Sequence, residues 1–260
     1  MKIHPSAIVH PDSVLGEDVE IGPHCIIGAG VTIGARTRLI SHVILEGFSE
    51  IGEDNLVFPF CSIGTAPQDL KYKGEPTRLA LGSRNTIREF VTINRGTQGG
   101  HQVTCIGSDN LLMAYAHVAH DCVVGSRVIM ANAATLAGHV DVMDGATVGA
   151  STGVHQFCRV GKEAFVGGYS VITRDALPYI KTVGDRNSAK TYGINSIGLE
   201  RKQMPKESIA ALQQAYRRLF QDHKRPFEER LAEVRLHGPH TEEVLILLDF
   251  MTTAERGFIR

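Results

Sequence analysis

Aliphatic residues recur along this chain at a constant spacing of six. One series runs Val9, Leu15, Ile21, Ile27, Ile33, Leu39, Leu45, Ile51, Val57 and Ile63. A second runs unbroken from Ile106 through Leu112, Val118, Val124, Met130, Leu136, Val142, Val148, Val154, Val160 and Val166 to Ile172. Between them Leu81, Ile87 and Ile93 keep the first phase, and the step from 93 to 106 exceeds two periods by one residue. Two positions before each aliphatic residue the chain favours small or β-branched types such as Ala7, Cys25, Thr37, Ala116, Cys122 and Ala134. Glycine often follows the aliphatic residue, as at Gly16, Gly22, Gly34, Gly107 and Gly149. An α-helix needs apolar positions three and four apart, so this pattern excludes one. It predicts a parallel β-helix in which each hexad gives one short flat strand and one corner. The aliphatic residue points inward, the small residue permits the bend, and glycine is expected to supply backbone conformations closed to other residues. Three hexads close a triangular coil, so the 25 hexads make roughly eight coils.

Two interruptions and a tail complete the organisation. Residues 64–80, GTAPQDLKYKGEPTRLA, preserve the phase and carry Pro and Gly punctuation, which favours a loop leaving the coil. From spacing alone its Asp69, Lys71 and Lys73 read as a solvated loop. Residues 94–105 are glycine-rich and add the out-of-phase residue, which predicts an excursion from a corner. The hexads stop near Pro178, dividing the chain into a β-helix over residues 1–177 and a linker plus helical domain over 178–260. Helical periodicity then appears over 205–224, 227–236 and 241–255, separated by Pro226 and the His237-Gly238-Pro239 turn. Such repeats resemble those of the hexapeptide-repeat acyltransferases, and that resemblance implies a left-handed coil, which no period could show.

Composition narrows the class. The 260 residues carry 27 basic and 28 acidic side chains, a net charge of -1, without the basic excess of a nucleic-acid binder. No apolar stretch approaches the roughly 18 residues of a membrane span, and the start MKIHPSAIVHP has no apolar signal region. The five cysteines show no Cys-x-x-Cys spacing, and Cys25, Cys61, Cys122 and Cys158 fall on the small inward position. They are expected to be core thiols in a reducing, cytoplasmic setting. His4, His10, His24 and His42 join no cluster and read as solvated corner residues.

Candidate chemistry concentrates in HVAHDC, residues 117–122. Val118 and Cys122 hold inward positions, so His117, His120 and Asp121 face outward. His139 lies three residues after inward Leu136, and His155 and Gln156 follow inward Val154. The steps from 120 to 139 and from 139 to 155 are each close to one coil, which places these side chains on nearly one line, with rises of about 4.8 Å. Two chemistries fit such a column. Histidines from adjacent chains could gather zinc, as in the γ-class carbonic anhydrases. Alternatively, one histidine is a general base that takes a proton from a hydroxyl attacking an acyl thioester, with Asp121 holding its tautomer. A base beside a carboxylate is what proton abstraction needs, and a metal site has no use for Gln156, so the second is favoured.

The blocks QDLKYKGEPTR (68–78), IREFVTINRGT (87–97), GSDNLLMAYAHVAHDC (107–122), NAATLAGHV (132–140), VHQFCRVG (154–161) and the ending AERGFIR resemble the UDP-N-acetylglucosamine acyltransferase family of lipid A synthesis. The resemblance spans nearly the whole chain. It implies that His120 is the base for the glucosamine 3-hydroxyl, that Asp121 orients it and that the Gly138 N–H stabilises the oxyanion. By the same resemblance Gln68, Asp69, Lys71, His117, His139, His155 and Gln156 line the sugar-nucleotide and acyl pocket. Asn195, Arg201 and Lys202 would contact the nucleotide. Ile197 stands where the family often has an acidic ribose contact, a departure from the family pattern. Gly168 sits where the family measures acyl length, and glycine implies a long, 3-hydroxymyristoyl-like donor. The implied partners are acyl carrier protein, met by the basic residues Arg201, Lys202, Arg217, Arg218, Lys224 and Arg225, and two further copies in a homotrimer. No metal or cofactor comes with the resemblance. The alternatives are another hexapeptide acyltransferase, such as a sugar N-acyltransferase, or the zinc enzyme.

Overall fold

Strands of a triangular coil must pair with strands one full turn away, and the backbone hydrogen bonds sort them in that way. The computed structural model describes residues 1–222 and 224–260. Its first face runs from Lys2–Ile3 through Glu20–Ile21 to Phe165–Val166. The second runs from Ile8–Val9 to Val171–Ile172 and has nine strands; the third runs from Val14–Leu15 to Arg159–Val160 and has eight. Pairing is parallel with partners one coil apart, as in Lys2↔Glu20, His117↔Thr135 and Asp141↔Arg159. The molecule is a left-handed parallel β-helix followed by a small α-helical region. The 25 hexads do not divide evenly by three: nine fall on the second face and eight on the third, and Ile3, ahead of the series from Val9, adds a further strand at the start of the first.

The hexad residues make the core. Ile27, Leu45, Ile63, Leu112, Val118, Met130 and Leu136 are all buried, together with the small residues Cys25, Ala116, Cys122 and Ala134. Burying one such aliphatic side chain contributes about 1.5–3 kcal/mol. Each coil touches only its neighbours, so stability accumulates along the rod. Burial pushes the Cys61 and Cys122 thiols up to about 12, which keeps them protonated.

The glycines act otherwise than expected. Those that follow the aliphatic residue, such as Gly16, Gly34, Gly107 and Gly149, do not have positive φ; a Cβ on Gly34 would lie 2.6 Å from the Gly52 carbonyl carbon. Their service is close approach between stacked coils. The left-handed corner conformation falls instead to non-glycine residues, among them Asp18, Arg36, His42, Phe60, Tyr115, Asp121 and His139. Stacking one such corner residue on the next makes ladders. His24 and His42, expected to be isolated in solvent, begin one on the first corner, continued by Phe60, Phe90 and Tyr115 with ring centroids 4.8–5.1 Å apart.

Both interruptions leave at the second corner, between the second and third faces. One lies between strands Ser62–Thr65 and Arg78–Leu81, the other between Thr92–Asn94 and Val103–Ile106. After the last coil, Ile180–Val183 adds to the first face and pairs antiparallel with Lys190–Ile194. The hexad pattern announced neither that strand nor the short helix Ser196–Arg201. The helices Lys206–Tyr216, Phe227–His237 and Glu242–Thr252 follow, with a π-helical turn at Arg217–Gln221. Leu212, Ala215, Leu219, Val234, Val244 and Leu247 form their buried core. Arg159 ties this region to the coil: it pairs with buried Asp175 at 2.7 Å and donates to the Phe250 carbonyl.

Candidate active site

The second corner turns between strands His117–Val118 and Val123–Val124, and His120 and Asp121 occupy the turn. Asp121 adopts φ 59°, a left-handed conformation that aspartate tolerates better than most residues. Its carboxylate is fully buried, so every lone pair needs a donor. The Thr97 N–H donates to both oxygens at 3.1 Å, and the Thr97 hydroxyl donates at 2.6 Å. The Asp121 N–H donates in turn to Thr104 Oγ1 at 2.8 Å. His120 Nδ1 lies 2.8 Å from Asp121 Oδ2. An ionised carboxylate only accepts, so Nδ1 carries the proton and Nε2 presents a lone pair outward. Burial alone would raise the Asp121 pKa. The Thr97 hydroxyl, His120, the Thr97 amide and the nearby His139 outweigh it and hold the carboxyl below its usual range.

One coil further along, Gly138 lies under His120 and His139 under Asp121, with the His139 N–H donating to the His120 carbonyl at 3.1 Å. The imidazole of His120 rests on the Gly138 backbone, where a Cβ would come 2.5 Å from Cε1 and 2.7 Å from Nε2. Among the described residues the Gly138 N–H donates no hydrogen bond. His139 meets His120 edge-on at 5.1 Å, stacks on Phe157 at 4.5 Å and brings Nε2 to 4.0 Å from Asp121 Oδ2. Burial lowers the His139 pKa despite the pull of Asp121. His117 is lowered too, by burial and then by His120, and its Nδ1 lies 2.7 Å from the Thr92 hydroxyl.

The expected single line of histidines is not what the coil builds. With strict registration of one coil, His139 stacks beneath Asp121 rather than beneath His120, and His117 lies on the second face, paired with Thr92 and Thr135. The near-multiples 19 and 16 conceal offsets of one or two residues, and an offset of one residue is enough to change the column.

Could His120, Asp121 and His139 hold a metal? Their ligand atoms lie within 4.8 Å of one another. The Asp121 oxygens are already filled by Thr97 and His120, however, and the His120 nitrogen nearest the group is spent on that carboxylate. The donor set fits a proton-handling dyad better than a cation.

Beside the dyad a cavity of about 760 Å³ is lined by Asp69, Lys71, Tyr72, His101, His139, Phe157, Arg159 and Arg256, among others. Asp69 and Lys71 reach it from the loop over residues 66–77, and Gln68 is exposed on the same loop. His155 is half-buried, its Nδ1 3.2 Å from the Gln156 carbonyl, and the exposed Gln156 follows it at the same corner. The other candidates lie elsewhere on the chain. Gly168 is exposed on the first corner, near the Ala150 backbone. Asn195 and Lys202 converge on Glu163 at the third corner: Asn195 Nδ2 donates to its carbonyl at 3.3 Å, and Lys202 pairs with its carboxylate and donates to the Gly145 carbonyl at 2.6 Å. Arg201 and Ile197 are exposed on the helix Ser196–Arg201. Sequence reasoning missed Thr97, Thr104, Gly100 and Phe157. The one-residue phase slip between 93 and 106 was the available signal, since it marks where an extra loop reaches back over the corner.

A hexad coil bearing an outward His–Asp dyad against a glycine whose N–H has no partner among the described residues suits an acyltransferase of the hexapeptide-repeat class. Residues 1–35 match the family described as bacterial transferase hexapeptide (six repeats), and residues 175–259 match the second domain of UDP-N-acetylglucosamine O-acyltransferase. Among solved structures, the chain is similar to LpxA from Acinetobacter baumannii, at 42% identity over 100% of both chains with a TM-score of 0.94. It is similar to the UDP-N-acetylglucosamine O-acyltransferase of Moraxella catarrhalis, at 40% identity over 100% of both chains and TM-score 0.91. The Arabidopsis UDP-N-acetylglucosamine acyltransferase shares 35% identity over 99% of this chain and 100% of that one, at TM-score 0.83. The chain belongs to the UDP-N-acetylglucosamine O-acyltransferase family. No helix among the described residues is long and apolar enough to cross a membrane.

Proposed function

We propose that this chain transfers an (R)-3-hydroxyacyl group from acyl carrier protein to the 3-hydroxyl of UDP-N-acetylglucosamine, the first step of lipid A synthesis. The observation that carries the reading is the His120–Asp121 dyad lying against Gly138, whose N–H donates no hydrogen bond among the described residues. His120 Nε2 takes the proton of the sugar hydroxyl as its oxygen attacks the thioester carbonyl. The carbonyl oxygen gains the negative charge and the Gly138 N–H donates to it. Collapse breaks the carbon–sulfur bond, and the imidazolium returns its proton to the departing pantetheine sulfur. Asp121 stays ionised throughout, stabilising the imidazolium and fixing its tautomer.

Family membership supports placing the sugar nucleotide near Asp69, Lys71, His117, His155 and Gln156, with Gln68 at the loop's edge. Asn195, Arg201 and Lys202 would serve the nucleotide, and Gly168 the end of the acyl chain. These groups occupy different corners of one prism, and a convex rod offers no pocket that reaches all of them. A cyclic homotrimer with the second corner of one copy against a neighbouring copy would bring them together in a site shared between chains. Exposed Arg201 and Arg217 suit an acidic carrier, whereas Arg225 is already paired with Asp222 and Glu233. A cytoplasmic setting is consistent with five free cysteines.

The test is the product. Incubation with 3-hydroxyacyl carrier protein and UDP-N-acetylglucosamine should yield a 3-O-acyl sugar nucleotide by mass spectrometry. Acylation only of an amino sugar, or only from acyl coenzyme A, would overturn the reading in favour of a sugar N-acyltransferase.

A further inference from the structure

A buried carboxylate that must stay ionised and correctly turned needs more than its catalytic partner. Within its own coil Asp121 receives one side-chain donor, His120. The rest come from Thr97, which belongs to the inserted segment 95–102 and is itself buried. Its N–H straddles both oxygens and its hydroxyl fixes Oδ2, so the carboxylate can neither rotate about its bond to Cβ nor lose Oδ2 from Nδ1. The segment presses close: a Cβ on Gly100 would come 2.5 Å from Asp121 Oδ2. It is also firmly anchored, since the Gly96 N–H donates to the Arg78 carbonyl at 3.0 Å and Arg95 Nη1 donates to the Gly64 carbonyl at 2.8 Å. Arg95 Nη2 further donates to the Tyr72 hydroxyl at 2.8 Å. Residues two apart therefore hold the substrate loop through Tyr72 and the dyad through Asp121.

We propose that Thr97 is a positioning residue for the acyl-transfer dyad, and that the one-residue phase slip in the hexads serves to deliver it to Asp121. The proposal rests on His120 being the base. Thr97 lies at the wall of the cavity, but its N–H and hydroxyl are both committed to Asp121, so it acts by orienting the carboxylate that orients His120. The charged and titratable groups facing the carboxylate are His120 at 2.8 Å and His139 at 4.0 Å. His101 and Asp69 bear on it through His139, and Cys122, pushed up to about 12 by burial, follows it in the chain. Removing the Thr97 hydroxyl leaves the carboxylate with fewer donors, so it takes a proton at higher pH.

Thr97→Val keeps the shape and removes the hydroxyl. Its expected effect is a fall in kcat of about 10- to 100-fold, the worth of one hydrogen bond to a charged group, with the KM for the sugar nucleotide little changed. The acid limb of the kcat/KM profile should move to higher pH, and Thr97→Ser should restore both kcat and the limb. In an Asp121→Asn background Thr97→Val should cost little more, since the two act as one unit. A Thr97→Val enzyme with near wild-type kcat, an unmoved limb, or a full additive loss in the Asp121→Asn background would overturn the proposal. Should Thr97→Val fail to fold by circular dichroism, Thr97→Ser decides: a tenfold loss with the hydroxyl retained refutes it. His120→Ala measured alongside separates the two ideas. Full activity in that variant removes the base reading itself, whereas an inactive His120→Ala with an unaffected Thr97→Val removes only the role of Thr97.

Discussion

Replacing Gly138 by alanine perturbs the site with a single methyl group. The added Cβ would lie 2.5 Å from His120 Cε1 and 2.7 Å from Nε2. Ordinary carbon contacts begin near 3.5 Å, so the imidazole must retreat by about 1 Å or the corner backbone must shift. His120 cannot retreat freely, because Nδ1 is held by Asp121 and that carboxylate by Thr97. Misplacing a reacting group by about 1 Å costs on the order of 10²-fold in rate. Gly138 is not at positive φ, so alanine brings no intrinsic backbone penalty. The expected result is a kcat about 100-fold lower with a melting temperature only slightly changed. Initial rates of acyl transfer, followed by mass spectrometry, and thermal melts by circular dichroism measure both. A Gly138→Ala enzyme within about fivefold of wild type would refute the claim that the ring must lie against that backbone.

Other consequences are open to measurement. Gly168→Met should turn donor preference from 3-hydroxymyristoyl towards 3-hydroxydecanoyl carrier protein; four methylenes at about 0.8 kcal/mol each set a ceiling on the order of 10²-fold, and an unchanged preference in competition would remove Gly168 from the acyl site. Arg159→Met removes the guanidinium from the buried Asp175 carboxylate, leaving it the residue-159 amide alone, and frees the Phe250 carbonyl, so urea unfolding should show a loss of about 3 kcal/mol, whereas a loss under about 0.5 kcal/mol would show that the tie contributes little. The folded-state pKa values of His117 and His139 are both lowered, so unfolded imidazoles take protons first; stability should be full above pH of about 6.5 and fall as the pH drops below it. His117→Gln should flatten that slope, and an unchanged slope would mean that His117 is not responsible.

The coil was legible because its signal is redundant. Each of 25 hexads repeats the same physical demand for an inward aliphatic side chain, so the faces and core could be assigned without any tertiary information. The outward direction of His120 and Asp121 followed from inward Val118 and Cys122. The finer stacking did not, because neighbouring corner residues differ by one place in register and spacings of 19 or 16 blur that difference. The roles of the glycines were misjudged for a related reason: a repeat reveals where small residues are needed, not whether φ or a stacked coil needs them. Thr97 and Gly100 were invisible because they reach Asp121 across 24 and 21 positions through an inserted loop whose path no periodicity describes. The helical tail was read from its apolar face, but the strand Lys190–Ile194 has only its pairing with Ile180–Val183 to define it.

The central claim is that His120, held by Asp121, is the base for acyl transfer to the sugar 3-hydroxyl. Its most direct test is acyl transfer from 3-hydroxyacyl carrier protein to UDP-N-acetylglucosamine by wild type and His120→Ala, with a chelator present and then with added zinc. The account predicts a 3-O-acyl product from the wild type that zinc does not increase, and a loss of at least about 10²-fold in the variant. Activity that survives in His120→Ala, or that appears in the wild type only with zinc, would contradict it.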